Sequence, residues 1–271
     1  MTWHLGQLAA FDLETTGVDV ETDRIVTAAV HALGGREGGE SHEWLADPQI
    51  EIPAEATAVH GITTERARMD GDPADMVADQ VAAFLAVQVR AGVPVVGHNA
   101  PFDLTLLDRE LRRHKLPTLD ERLGGRPLYV IDTRVLDQHA IPYRKRPSEE
   151  QGARQLVTLA QVYELQWDAE AAHGCSYDAL VAARIAYRIG VLAHTRRADW
   201  PEHIRGERRV RFGAFRDLTL AELHERQIEL AAEQAAGLQK HFRKTDPNAV
   251  VDGAWPLRPW VDPTAAEGAT A

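Results

Sequence analysis

Three apolar, strand-like runs crowd into the first 46 residues, and their spacing leaves this chain little choice of architecture. Gln7 to Leu13, Asp23 to Leu33 and His42 to Ala46 are separated only by acidic or Gly-rich turns. Connections that short join antiparallel neighbours, because parallel strands need a crossover of about a dozen residues or more. Beyond them the pattern changes. Pro73 to Arg90 carries Met76, Val77, Val81, Phe84, Leu85 and Val89 at helical spacing, and Val93 to Gly97 is a short apolar strand. Phe102 to His114 is a second helix with Leu104, Leu107 and Leu111 on one face, and Leu128 to Asp132 a further strand. Gln155 to Leu165 reads as a short helix. Ser176 to His194, apolar at Leu180, Ala183, Ile185, Tyr187, Val191 and Leu192, reads as a long one that packs on the sheet. The order specifies an α/β domain with a mixed sheet.

An irregular, Arg-rich stretch from Trp200 to Phe215 sets a boundary near residue 198, separating a domain over 1–198 from an extension over 199–271. Leu218 to Lys244 forms one further helix, with Leu220, Leu223, Ile228, Ala231, Ala235, Leu238 and Phe242 as its apolar stripe. The small-residue end is expected to be mobile. The single cysteine, Cys175, excludes an intramolecular disulfide and fits a reducing compartment. Met1 to Ala10 lacks a signal-peptide pattern, and no run approaches the ~20 apolar residues of a membrane span, so a cytoplasmic protein is expected.

Chemistry begins at Phe11-Asp12-Leu13-Glu14-Thr15-Thr16-Gly17. Side chains two apart on a strand share a face, so Asp12 and Glu14 stand side by side while Leu13 faces the core. Two carboxylates at the end of an apolar strand call for a cation, unless they are simply a solvated terminus. Next come Val96-Gly97-His98-Asn99-Ala100-Pro101-Phe102-Asp103, a strand leading through a loop into a helix. By itself Asp103 is an ordinary helix-stabilising charge near an N-terminus. The third piece is His173-Gly174-Cys175-Ser176-Tyr177-Asp178. Five residues of helix would separate His173 from Asp178 by about 140 degrees, so the two share a site only if the loop folds His173 back.

In order and context these pieces resemble the DEDD exonuclease superfamily in its histidine-bearing, DnaQ-like form. That pattern has D-x-E on the first strand, an aspartate in an N-x-x-F-D context and a closing H-x4-D. Here they are Asp12 and Glu14, Asp103 after Asn99 and Phe102, and His173 with Asp178. His60-Gly61-Ile62-Thr63 looks like a fourth family segment, and the resemblance covers residues 7–195. It implies an RNase H-like fold: a mixed five-stranded sheet flanked by helices, with the C-terminal helical extension added.

The resemblance also implies a metal-dependent 3'-to-5' exonuclease that releases nucleoside monophosphates. Two Mg²⁺ or Mn²⁺ ions are implied, held by Asp12, Glu14, Asp103 and Asp178, with Asp12 bridging them and His173 as general base. Thr15, Thr16, His60, Asn99 and Phe102 become candidate substrate contacts, the two rings by stacking on bases. Single-stranded 3' ends of DNA are the expected partner, and a polymerase or repair partner is compatible. RNA as substrate, or a module that binds nucleic acid or protein without cutting, are the alternatives. The net charge of −11 runs against nucleic-acid binding, although cations at a carboxylate site offset it locally. Basic clusters at 109–115, 144–146 and 205–211 read at least as well as solvated faces. No histidine stands at zinc-ligand spacing from Cys175, so no zinc site is expected.

Overall fold

The computed structural model describes residues 2–34 and 39–261, which excludes the small-residue end. Strands β1 (Leu8–Thr15), β2 (Ile25–Leu33) and β3 (Glu40–Asp47) form the antiparallel meander that the short turns dictate. Helices α1 (Ala54–His60) and α2 (Thr64–Asp70) follow, then a two-residue strand β4 (Asp72–Pro73) and helix α3 (Ala74–Arg90). Strand β5 (Val95–Gly97), helices α4 (Ala100–Arg113) and α5 (Leu119–Leu123), strand β6 (Val130–Asp132) and helix α6 (Thr133–Ala140) come next. Helices α7 (Leu156–Val162), α8 (Cys175–His194), α9 (Glu202–Arg205) and α10 (Leu220–Phe242) complete the chain.

The sheet order is β4-β3-β2-β1-β5-β6, with β5 and β6 parallel to β1. The expected five strands are thus joined by a sixth, β4, which pairs with β3 through Ala46 and Asp47 only. Helix α3 packs on β2 and β3, and α8 packs on β1, β2 and β5. Strand β2 is consequently buried on both sides, with Val26, Ala28, Ala29 and Val30 all inaccessible. Helices α1, α2, α5, α6 and α9 have no counterpart in the sequence reading. At four to eight residues each, they span about two turns at most and carry few apolar residues to mark a helical period.

Residues beyond 198 share the core of the sheet domain: Trp200, Phe212, Phe215, Leu223, Leu230 and Trp255 lie in the same buried apolar cluster. Helix α10 starts on a capping box, Thr219 with Glu222. Its buried face is Leu223, His224, Gln227 and Leu230, whereas Ile228, Leu238 and Phe242 of the expected stripe are exposed. The reason lies at the sheet edge. Among the described residues strand β6 is an edge of the sheet, and α10 supplies partners from side chains. The Val130 N–H donates to His224 Nδ1 at 3.1 Å, and the Asp132 N–H to Gln227 Oε1 at 2.7 Å. Gln227 Nε2 in turn donates to the Val130 carbonyl at 2.9 Å. Burial holds the His224 imidazole below its ordinary pKa, which keeps Nδ1 an acceptor.

Replacing Gln227 with Leu preserves bulk but leaves the buried Asp132 N–H and Val130 carbonyl without partners. At about 1–3 kcal/mol for each of the two orphaned groups, the variant should lose roughly 2–6 kcal/mol in urea unfolding. An unchanged midpoint would remove α10 from any role in supporting β6.

Candidate active site

Strand β1 runs through the middle of the sheet, flanked by β2 and β5. Leu13 is buried, while Asp12 and Glu14 sit half-buried on the other face, as strand alternation requires. Register lays out the floor around them. Glu14, Thr27 and Leu45 form one cross-strand row, and Asp12, Ala29 and Glu43 the next. A bulge between Glu14 and Thr15 shifts the register, so that Thr15 pairs with Ile25, and the chain turns at Gly17. A side chain at Gly17 would collide with the Asp23 carboxylate, its Cβ falling 2.5 Å from Oδ2.

Asp178 comes from the first turn of α8, and one of its oxygens lies within 4.8 Å of an oxygen of Asp12 and of one of Glu14. His173 is folded back in the manner the sequence required: it adopts a left-handed conformation, φ 62°, just before the helix. Both its backbone and its imidazole bear on the Asp178 carboxylate. Asp103, in the first turn of α4, is not one of this group of three, but it is buried directly beside it. Its Oδ1 accepts the Leu13 N–H at 3.3 Å, and its charge acts on Asp12. Asp103 is therefore no solvated helix-end charge.

The electrostatics are those of acids crowded without cations. Burial, then Asp103, Glu14 and Asp178 in turn, push Asp12 well above the ordinary carboxylate range. Asp103 is raised in the same direction, chiefly by burial, with relief from the Leu13 N–H. Burial and Asp178 lift Glu14 to about 8. Asp178 rises to about 6 by burial, against the opposing effect of His173. Its Oδ1 is buried with no hydrogen-bond partner among the described residues. Convergent, unpartnered oxygen donors of this kind suit a hard divalent cation. Cys175 does not join them: burial pushes its thiol well up, so it is a protonated, inert neighbour.

The candidate substrate contacts divide. His60 lines a cavity of about 340 Å³ with Glu14 and His173, and its Nδ1 accepts the Ile62 N–H at 3.1 Å. Asn99 and Phe102 stand at the start of α4, on the β5 side of β1, and do not line that cavity. Asn99 is held left-handed, φ 69°, by its N–H on Asp132 and by Arg134 on its Oδ1. Phe102 is partly buried against the core. The Thr15 hydroxyl donates to the Gly17 carbonyl. Thr16 is buried, donating to Asp23 and accepting from the Arg24 N–H, so its hydroxyl is engaged in holding the turn. His98 is structural, as its bonds to Thr133 and the Arg154 carbonyl show.

Two supports of the site carry no sequence signal. Ser176 donates to Glu43 at 2.6 Å and sits 3.1 Å from His31 Nε2, which ties the start of α8 to β2 and β3. Tyr177 fixes the loop before His173: its hydroxyl accepts the Asp168 N–H and donates to the Gln166 carbonyl. These partners lie far away in sequence or within an irregular loop, where no periodicity marks them.

A family model described as an exonuclease, of RNase T type, matches residues 9–186. The DNA polymerase III subunit epsilon-like protein of Rhodobacter capsulatus is 43% identical over 103 residues, 37% of this chain and 14% of that protein. The PolC-type DNA polymerase III of Streptococcus thermophilus is 26% identical over 177 residues, 65% of this chain and 11% of that protein. The chain thus spans about a seventh or less of the length of these curated relatives. Among solved structures, E. coli exonuclease I in complex with a dT13 oligonucleotide has a TM-score of 0.57 at 16% identity, covering 71% of this chain and 45% of that one. Exonuclease I from Methylocaldum szegediense gives 0.55 at 21% identity, covering 73% and 42%. These likenesses are of fold, and they establish the RNase H-like architecture. The family match takes in Asp12, Glu14, Asp103, His173 and Asp178 together, and the chain belongs to the exonuclease family of the DEDD superfamily.

Proposed function

We propose that this chain is a divalent-cation-dependent 3'-to-5' exonuclease that releases nucleoside monophosphates from single-stranded 3' ends of DNA. The observation that carries the reading is the convergence of Asp12, Glu14 and Asp178 within 4.8 Å, with Asp103 buried behind them. In this reading the four carboxylates hold two Mg²⁺ or Mn²⁺ ions. Such ions supply charge stabilisation and a water of lowered pKa. His173, on its loop beside Asp178, takes the proton from the attacking water. Phe102 offers a partly open ring face to the terminal base, and the Thr15 and Asn99 backbones border the same end of the sheet. DNA is favoured because the relatives with the longest matched stretches are DNA polymerase chains. They also make a polymerase the natural source of the 3' end. The sole cysteine, buried and unpaired, accords with work in the cytoplasm.

The test uses the full chain with Mn²⁺ and matched DNA and RNA strands, labelled at either end. Mononucleotides should leave the 3' label first, and chelator should stop the reaction. Release from the 5' end or internal cuts would sink the polarity. Faster digestion of RNA than of DNA would replace the substrate but keep the chemistry.

A further inference from the structure

The cavity beside Glu14 lies over β2 and β3, the flank of the metal-binding carboxylates away from Asn99 and Phe102. Its volume, about 340 Å³, matches a nucleotide-sized group and exceeds what a phosphate alone would need. The floor includes Leu45, and Ile62 contributes apolar wall. Among its lining residues one is a permanent cation, Arg66 of α2. That helix is firmly seated. Thr63 caps it by accepting the Arg66 N–H, and Ala67 is buried with Val26 and Ile52 in a small apolar cluster. Arg66 is exposed, and among the described residues its guanidinium makes no ion pair, in a chain of net charge −11. Among the described residues it makes no ion pair with Glu14 or Glu43, the carboxylates that border the same cavity.

Resting on the exonuclease reading, we infer that this cavity is the subsite for the nucleotide 5' of the scissile bond, and that Arg66 binds its phosphate. If the terminal nucleoside occupies the Phe102 flank and the scissile phosphate lies over the carboxylates, the strand must leave on the opposite flank, across β2 and β3. There it meets a guanidinium, which is planar, always charged and suited to phosphate. Arg66 is thus a substrate-binding residue for strands longer than one nucleotide.

The experiment compares two substrates. One is an oligothymidylate, and the other is the p-nitrophenyl ester of thymidine 5'-monophosphate, in which an aryl group without phosphate replaces the upstream nucleotide. Arg66→Ala should raise KM for the oligonucleotide about tenfold and leave kcat there within about twofold. It should also flatten the dependence of log KM on log salt by about 0.7, the loss of one phosphate contact on a single strand. The fall in kcat/KM on the ester should be at least fivefold smaller than on the oligonucleotide. Arg66→Lys, which keeps the charge, should recover part of the loss. Equal losses on both substrates, or an unchanged KM and salt slope, would overturn the assignment. A wild-type protein inactive on both substrates would refute the nuclease reading itself, and this subsite with it.

Discussion

Asp12→Asn is expected to abolish cleavage while leaving the fold intact. It changes almost no volume, but it removes the carboxylate that stands among Glu14, Asp103 and Asp178. Losing a central cation ligand should cost at least 10³-fold in rate, in line with the scale of electrostatic stabilisation in such sites. The same substitution should stabilise the cation-free protein. The cluster carboxylates hold protons in the folded state at pH values where the unfolded chain has released them: Asp178 up to about 6 and Glu14 up to about 8, with Asp12 and Asp103 also raised. The folded state therefore binds more protons across this window, and its stability must fall as pH rises from the ordinary carboxylate range to about 8. With one crowded charge gone, the decline should be shallower. In chelator at pH 8 we expect the variant to melt roughly 2–8 °C above the wild type, the equivalent of about 1–2 kcal/mol. Divalent cations should stabilise the wild type more at pH 8 than at pH 6, because binding must displace fewer protons. Normal turnover by Asp12→Asn in Mg²⁺ would end the carboxylate assignment, and a lower melting point in chelator would end the repulsion argument.

His173→Ala should lower the rate on the order of 10² to 10⁴-fold, the usual loss for a positioned general base. Cation binding should survive, because the imidazole lies outside the carboxylate group. Tyr177→Phe is the control. Its hydroxyl bonds to Asp168 and Gln166 rather than to the carboxylates, so its loss should change the rate only a few-fold, by loosening the loop that carries His173. A Tyr177 variant as slow as the His173 variant would show that the base has been misplaced.

Much of this was legible in the chain itself. The meander follows from three apolar runs and two short turns, a local rule that tertiary context rarely overrides. Asp12 and Glu14 share a face because strand geometry has a period of two. Helices α3, α4, α8 and α10 announced themselves by length and apolar spacing, whereas α1, α2, α5, α6 and α9, short and with few apolar residues, did not. The motif residues arrived in family order, and that order supported a fold and a chemistry that composition and net charge alone would not have suggested.

What hydrophobic patterning does not encode is which polar groups meet across the fold. It misplaced the buried face of α10, because His224 and Gln227 are buried to complete the hydrogen bonding of an edge strand some 94 to 97 residues earlier. Nor does it show that the Thr16 hydroxyl is engaged with Asp23. The position of His173 beside Asp178 depends on one left-handed residue, and periodicity is blind to backbone reversal. Likewise the cavity shared by Arg66, Glu14 and His173 comes from three separate parts of the chain. The residue types, their alternation and their order are properties of the strand and can be read along it. Distances between segments, and the charge shifts those distances cause, exist only once the core has closed around them.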